Sequence, residues 1–98
     1  MRNYEIAYIA DPDLDEQSLA ELQAKITGWV EAAGGKTGQV ESWGRRRLAY
    51  PIKKKTDGYY VFLQAEMPAA GPLQVERDIR LNEQVIRYML VALEAAPA

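Results

Sequence analysis

The chain has 98 residues, of which 48% are hydrophobic and 27% charged, and this composition predicts a single domain over residues 1–98 with a short tail at 94–98. It contains no His and no Cys, which excludes a disulfide framework and a thiolate zinc site and removes the commonest general base. No apolar run approaches the roughly 20 residues that cross a bilayer. The first five residues also lack the apolar stretch of a signal peptide, so we expect a cytoplasmic protein without membrane contact.

The first part of the chain predicts a strand followed by an amphipathic helix. Residues 3–10 alternate between two sets of side chains, as a strand does. Asp13 or Asp15 is expected to cap the helix that follows. Apolar residues then recur every three or four positions over 19–33, which predicts one buried stripe, and the two glycines at 34–35 are expected to end the helix.

The rest of the chain predicts three further strands and a short helix. Residues 36–52 are typical of a long second strand, in which Gly44 marks a bulge. Residues 56–58, Thr-Asp-Gly, are typical of a hairpin turn, so the third strand is expected at 59–67. The last two elements are a short helix and a fourth strand, expected at 72–81 and 85–93.

The order strand, helix, strand, strand, helix, strand predicts the α+β class, as a ferredoxin-like split βαβ sandwich. Its four-stranded antiparallel sheet would carry two helices on one face, with the strand order 4-1-3-2. The other face would be open, and five of its apolar residues are expected at a partner-protein interface: Ile9, Tyr60, Phe62, Met89 and Val91. Two alternatives remain for these residues, since central strands tolerate apolar side chains on both faces and the aromatic rings could stack on RNA bases.

Positive charge is concentrated between residues 42 and 56. This segment has no acid and six basic residues: Arg45, Arg46, Arg47, Lys53, Lys54 and Lys55. The other six basic and 14 acidic residues leave the remainder of the chain at −8. Arginine and lysine bind phosphate, so the segment favours an anionic partner such as an RNA backbone. The other interpretation is that charge on an edge strand deters aggregation.

Three residues outside the basic run are further candidates for RNA contact. Tyr4 and Tyr50 could reach RNA through their hydroxyls, or their rings could be buried in the sheet. Arg87 is expected on the open face, where it could meet RNA or a partner. These candidates depend on the strand alternation alone. Contact with RNA remains open for all three, as do a buried ring for each tyrosine and contact with a partner for Arg87.

The basic segment also resembles a known family. Residues 44–53, Gly-Arg-Arg-Arg-Leu-Ala-Tyr-Pro-Ile-Lys, are similar to the second-strand signature of the sixth protein of the bacterial small ribosomal subunit. Similar stretches at 2–5, 57–60, 66–68 and 79–88 extend the resemblance to about residues 2–93. It implies a structural protein that binds the central domain of the small-subunit (16S) ribosomal RNA together with the eighteenth small-subunit protein. The resemblance adds Arg2 to the residues expected to meet RNA phosphates.

An enzyme is the contrasting class. Some small proteins of this fold hydrolyse acyl phosphates with a phosphate-binding loop after strand one. Here that loop, residues 10–16, has four acids and no glycine, and it would repel phosphate. We therefore expect no catalysis, no cofactor, no metal ion and no small-molecule substrate. The alternative function is a stand-alone RNA-binding or metabolite-sensing module outside the ribosome.

Overall fold

Four strands and two helices make up residues 2–93, the part of the chain that the computed structural model describes. In chain order they are β1 (Arg2–Ala10), α1 (Glu16–Ala32), β2 (Lys36–Ile52), β3 (Lys55–Met67), α2 (Gly71–Leu81) and β4 (Val85–Leu93). This is the predicted order of elements. The tail expected at 94–98 lies outside the described residues.

The strands form one antiparallel sheet with the order β2-β3-β1-β4, so the prediction that strands one and three are central is confirmed. Along β1 every second residue from Tyr4 to Ala10 is buried, while those between are half-buried. The buried set packs with residues of α1 and α2, which places both helices on the same face. The ferredoxin-like sandwich is therefore confirmed, and among residues 2–93 no helix covers its other face.

Helix α1 begins and ends where the local sequence favours it. Asp15 is the N-cap, and its carboxylate accepts the backbone N–H of Ser18 at 2.7 Å, which lowers the pKa of Asp15. The chain turns out of the helix at Gly34, whose φ of 86° costs glycine no steric strain. Three residues of the predicted stripe are fully buried: Leu22, Ile26 and Val30.

The core lies between the helices and the inner face of the sheet. Its largest fully buried side chains are Ile6, Leu22, Ile26, Leu63, Met67, Ile79, Val30 and Val75. Tyr8 is only 3% exposed, and this burial raises its pKa to about 12. Burying this set of apolar side chains fixes the sheet, and with it the direction in which β2 and β3 leave the body of the protein.

The turn between β2 and β3 lies earlier than predicted. Lys53 and Lys54 form it, with φ values of 50° and 66°. Positive φ at both central residues is the geometry of a tight two-residue hairpin, which matches the twist of the flanking strands. The turn expected at 56–58 is therefore wrong, because those residues already belong to β3.

Gly58 is needed for close packing and not for a turn. A Cβ atom at this position would lie 2.2 Å from Cγ2 of Ile9 in the neighbouring strand, a distance that real structures do not show. The predicted bulge at Gly44 is confirmed, since the register of β2 against β3 shifts between Ser42 and Gly44 and the φ of Gly44 is 75°.

The hairpin of β2 and β3 extends past the rest of the sheet. Strand β1 ends with Ala10 opposite Tyr59, and Tyr59 pairs on its other side with Arg45. Residues 46–58 thus project beyond β1, and we call them the arm. The arm carries five of the six basic residues that the sequence analysis singled out, with Arg45 at its base.

Candidate nucleic-acid and partner interface

The basic residues of β2 and the turn are spread along the arm and its base. Residues 45–47 are successive in β2, so their side chains alternate between the two faces of the hairpin. Lys53 and Lys54 occupy the turn, and Lys55 begins β3. All of them are exposed except Lys55, which is half-buried.

Two of these six cations have acidic partners that are distant in sequence. The Nε of Arg45 lies 3.2 Å from Oδ2 of Asp57. The Nζ of Lys55 contacts the carboxylates of Asp13 at 2.5 Å and Asp11 at 3.6 Å, both in the loop after β1. The hydrogen bond from Lys55 lowers the pKa of Asp13, and the same contact raises the pKa of Lys55. These pairs tie the arm to itself and to the body of the protein.

The other four cations have no acidic partner within 4.0 Å among residues 2–93. They are Arg46, Arg47, Lys53 and Lys54. An exposed guanidinium or ammonium group without an acidic partner keeps its donors available to an external anion, apart from the Nε of Arg46, which donates to the Trp43 carbonyl. The structure thus reduces the sequence count of six positive charges to four that are free to bind phosphate.

Arg46 connects these cations to the open face of the sheet. Its guanidinium lies 5.4 Å from the centroid of the Trp43 ring, and its Nε donates to the Trp43 carbonyl at 3.3 Å. The Trp43 ring in turn packs on Phe62, with ring centroids 4.7 Å apart. Sequence analysis did not assign Trp43 to the site, although its position beside the Gly44 bulge was the available signal.

The open face brings together all five residues predicted to contact a partner protein. The register places Ile9 opposite Tyr60 of β3 and opposite Arg87 of β4. Together they line a shallow concavity of about 230 Å³, which includes the side chains of Ile9, Tyr60, Phe62, Met89 and Val91. Met89 and Val91 are 55% and 42% exposed, so an apolar surface is left in contact with water.

Tyr50 and Arg87, both predicted to contact RNA, meet across the fold. The Nη1 of Arg87 donates to the hydroxyl of Tyr50 at 2.5 Å, although the two residues are 37 positions apart. Tyr50 remains 57% exposed. The arm therefore bends back over the start of β4, and this contact holds it there.

Arg2 and Tyr4 do not join the other predicted RNA contacts. Tyr4 belongs to the core and is only 7% exposed. Arg2 is exposed at the start of β1, where it pairs with Met67 at the far end of β3 from the turn. The 13 residues of β3 span roughly 40 Å, so Arg2 and the turn lie at opposite ends of the sheet.

Residues 2–93 contain neither a cluster of acidic side chains that could bind a metal nor a membrane-spanning helix. Within residues 2–93 no group of three or more Asp and Glu side chains is arranged to hold a metal ion. No helix in the same part of the chain combines the length and hydropathy of a membrane span.

The sequence matches the family model described as "Ribosomal protein S6" over residues 3–92. It is 42% identical over 94 residues to the small ribosomal subunit protein bS6 of Bartonella tribocorum, covering 96% of this chain and 70% of that protein. It is 41% identical to bS6 of Agrobacterium fabrum, covering 97% of this chain but 62% of the relative. For bS6 of Clostridium novyi the identity is 41%, with 93% and 96% covered. The crystal structure of 30S ribosomal protein S6 from Thermotoga maritima superimposes with a TM-score of 0.89 at 27% identity, covering 94% of this chain and 87% of that one.

Proposed function

The chain belongs to the ribosomal protein S6 family, and from this premise we propose that it binds the central domain of the small-subunit ribosomal RNA beside the eighteenth small-subunit protein. It is a protein of the small ribosomal subunit and acts on the ribosome in the cytoplasm. Its role is structural and involves no catalysis. The observation that carries the RNA proposal is the set of four unpaired cations on the arm.

Charge segregation explains how the arm would find RNA and in what orientation. Outside residues 42–56 the chain has a net charge of −8, so most of its surface repels a phosphate backbone. The arm is the exception, and its exposed cations would be attracted first. Arg46 and Arg47 then offer planar forks that can each donate two parallel hydrogen bonds to one phosphate.

The open face supports the partner-protein half of the proposal. Met89 and Val91 stand beside the half-buried Ile9 and Phe62 on this face, and burying such a surface against a protein removes apolar area from water. Trp43 and Arg46 lie at the boundary between this surface and the cations. A protein and an RNA could therefore be bound side by side, which is the arrangement the proposal requires.

The RNA proposal is tested by moving the same charge change to different places. Arg46→Gln/Arg47→Gln removes two unpaired cations of the arm. The control, Lys25→Gln/Arg77→Gln, removes two exposed cations of the helices and changes the net charge equally. Binding to a central-domain RNA fragment is measured against salt concentration. The slope of log K against log salt is negative, and in the arm variant its magnitude should decrease by about 1.4 to 1.8, since each lost phosphate contact removes about 0.7 to 0.9. Equal effects in both variants would mean that only net charge matters and would refute the proposal.

A further inference from the structure

A second group of cations surrounds a cavity behind the turn of the arm. The cavity has a volume of about 420 Å³ and lies between the turn, the end of α2 and the start of β4. Its lining residues are Lys53, Ile79, Arg80, Val85, Ile86, Arg87 and Tyr88. Three of these seven carry a positive charge, and none carries a negative one.

The three cations come from three different elements. Lys53 is in the turn, Arg80 is in the last turn of α2, and Arg87 is in β4. None of them forms a salt bridge with another of the described residues. Like charges around one cavity repel each other, so their convergence is unfavourable until an anion enters between them.

The local explanations account for each residue alone but not for the convergence. Arg80 lies at the C-terminal end of α2, where a cation interacts favourably with the helix dipole. That interaction does not require Lys53, which holds a left-handed φ of 50° that a glycine or asparagine would adopt with less strain. A lysine at a strained turn position, facing a cavity shared with two arginines, indicates a functional reason for the charge.

Arg87 is already held in place for binding. Its Nη1 donates to the hydroxyl of Tyr50, which leaves the other guanidinium N–H groups free for a ligand. The rest of the lining comes from the buried residues Ile79, Val85 and Ile86 and from Tyr88, none of which carries a charge that would compete with the three cations for an anion. Such a cavity suits a small polyanionic group with several acceptor oxygens, and a phosphate has this chemistry.

We propose that Lys53, Arg80 and Arg87 bind one phosphodiester group of the RNA, separate from the phosphates met by Arg46 and Arg47. This inference rests on the proposed function, because it names a second contact with the same RNA. It assigns a role to Arg80, which the sequence analysis did not include among the RNA-binding residues. It also explains why the arm bends back towards β4, since the bend is what brings Lys53 to the cavity.

The test compares two arginines of the same helix in the full-length chain. Arg80→Gln removes a cation of the cavity, whereas Arg77→Gln removes an exposed arginine that does not line it. With a central-domain RNA fragment, Arg80→Gln should reduce the magnitude of the slope of log K against log salt by about 0.7 to 0.9, whereas Arg77→Gln should leave this slope unchanged. This difference in slope accumulates over the tenfold range from 1 M to 0.1 M salt, so at 0.1 M the affinity of Arg80→Gln for RNA should be roughly five- to eightfold weaker than that of wild type.

Ethylation interference identifies the phosphate itself. One ethylated phosphate should weaken binding of the wild-type chain and have no effect on Arg80→Gln, because the contact is already missing. If Arg80→Gln behaves as Arg77→Gln does, the inference is overturned, although the proposed function stands if Arg46→Gln/Arg47→Gln still weakens binding. If Arg80→Gln weakens binding of inorganic phosphate alone and leaves RNA affinity unchanged, the cavity is a free-phosphate site and the assignment to RNA is wrong.

Discussion

Replacing the two turn lysines by Asn-Gly should stabilise the fold and weaken RNA binding at the same time. Lys53 and Lys54 have φ values of 50° and 66°, and a side chain with a Cβ in this region costs about 1–2 kcal/mol. In Lys53→Asn/Lys54→Gly the glycine removes one such cost and the asparagine part of the other. Glycine gives back about 0.5–1 kcal/mol through the entropy of the unfolded chain. The net gain in the free energy of unfolding is therefore roughly 1 kcal/mol, or about 4–8 °C in Tm for a chain of this size.

The control is Lys53→Gln/Lys54→Gln, which removes the same two charges but keeps the left-handed strain. Urea unfolding followed by circular dichroism measures the stability of both variants against wild type. Only the Asn-Gly variant should gain stability, whereas both should lose the same salt dependence of RNA binding. An equal gain in the Gln-Gln variant would show that relief of charge repulsion stabilises the turn, and the argument from backbone strain would be refuted.

Two further predictions concern the core and the open face. Burial raises the pKa of Tyr8 from 10.0 to about 12, because the folded state favours the neutral phenol over the phenolate. The stability that the neutral phenol contributes is complete below pH 10 and is lost as the pH rises towards 12. Between pH 10 and 12, the free energy of unfolding of Tyr8→Phe, measured with urea, should therefore fall by about 2 kcal/mol less than that of wild type. If the free energies of both proteins fall in parallel with pH, the prediction is wrong. Met89→Asp should reduce binding of the eighteenth small-subunit protein at least tenfold in calorimetry by placing a charge in the apolar face, whereas Leu73→Asp, a change at an exposed leucine of α2, should not. Equal binding by the two variants would move the partner interface away from the open face.

The open face could be predicted because side chains alternate between the two faces of a strand. Strand pairing carries this alternation across the sheet, so Ile9, Phe62 and Met89 could be placed on one face before any coordinates were known. The bounds of β2 and β4 also agree with the prediction. The turn was misplaced because Thr-Asp-Gly at 56–58 has the composition of a turn. In the structure Gly58 instead makes room for the side chain of Ile9, a packing requirement that local sequence does not reveal.

Contacts between distant residues account for most of what the sequence could not predict in the site. The pairing of Lys55 with Asp13 joins residues 42 positions apart, and that of Arg87 with Tyr50 joins residues 37 apart. Neither pair has a local pattern, because each depends on how far the arm projects and in which direction it bends. Arg80 is a candidate only because the bend of the arm brings Lys53 to the cavity that Arg80 also lines.

Contacts within the protein already engage some charges of the arm, and this determines which of its charges remain available to a ligand. Lys55 pairs with Asp13 in the loop after β1 and Tyr50 pairs with Arg87, while Leu48 of the arm is buried at 8% exposure. A single surface ion pair contributes little to stability, but the two pairs connect the arm to the rest of the protein at two separate points. A chain that is already ordered loses less conformational entropy on association, so more of the attraction between cations and phosphate appears as affinity. The charges with acidic partners therefore connect the arm to the body of the protein, and the unpaired ones are those to which the proposal assigns RNA binding.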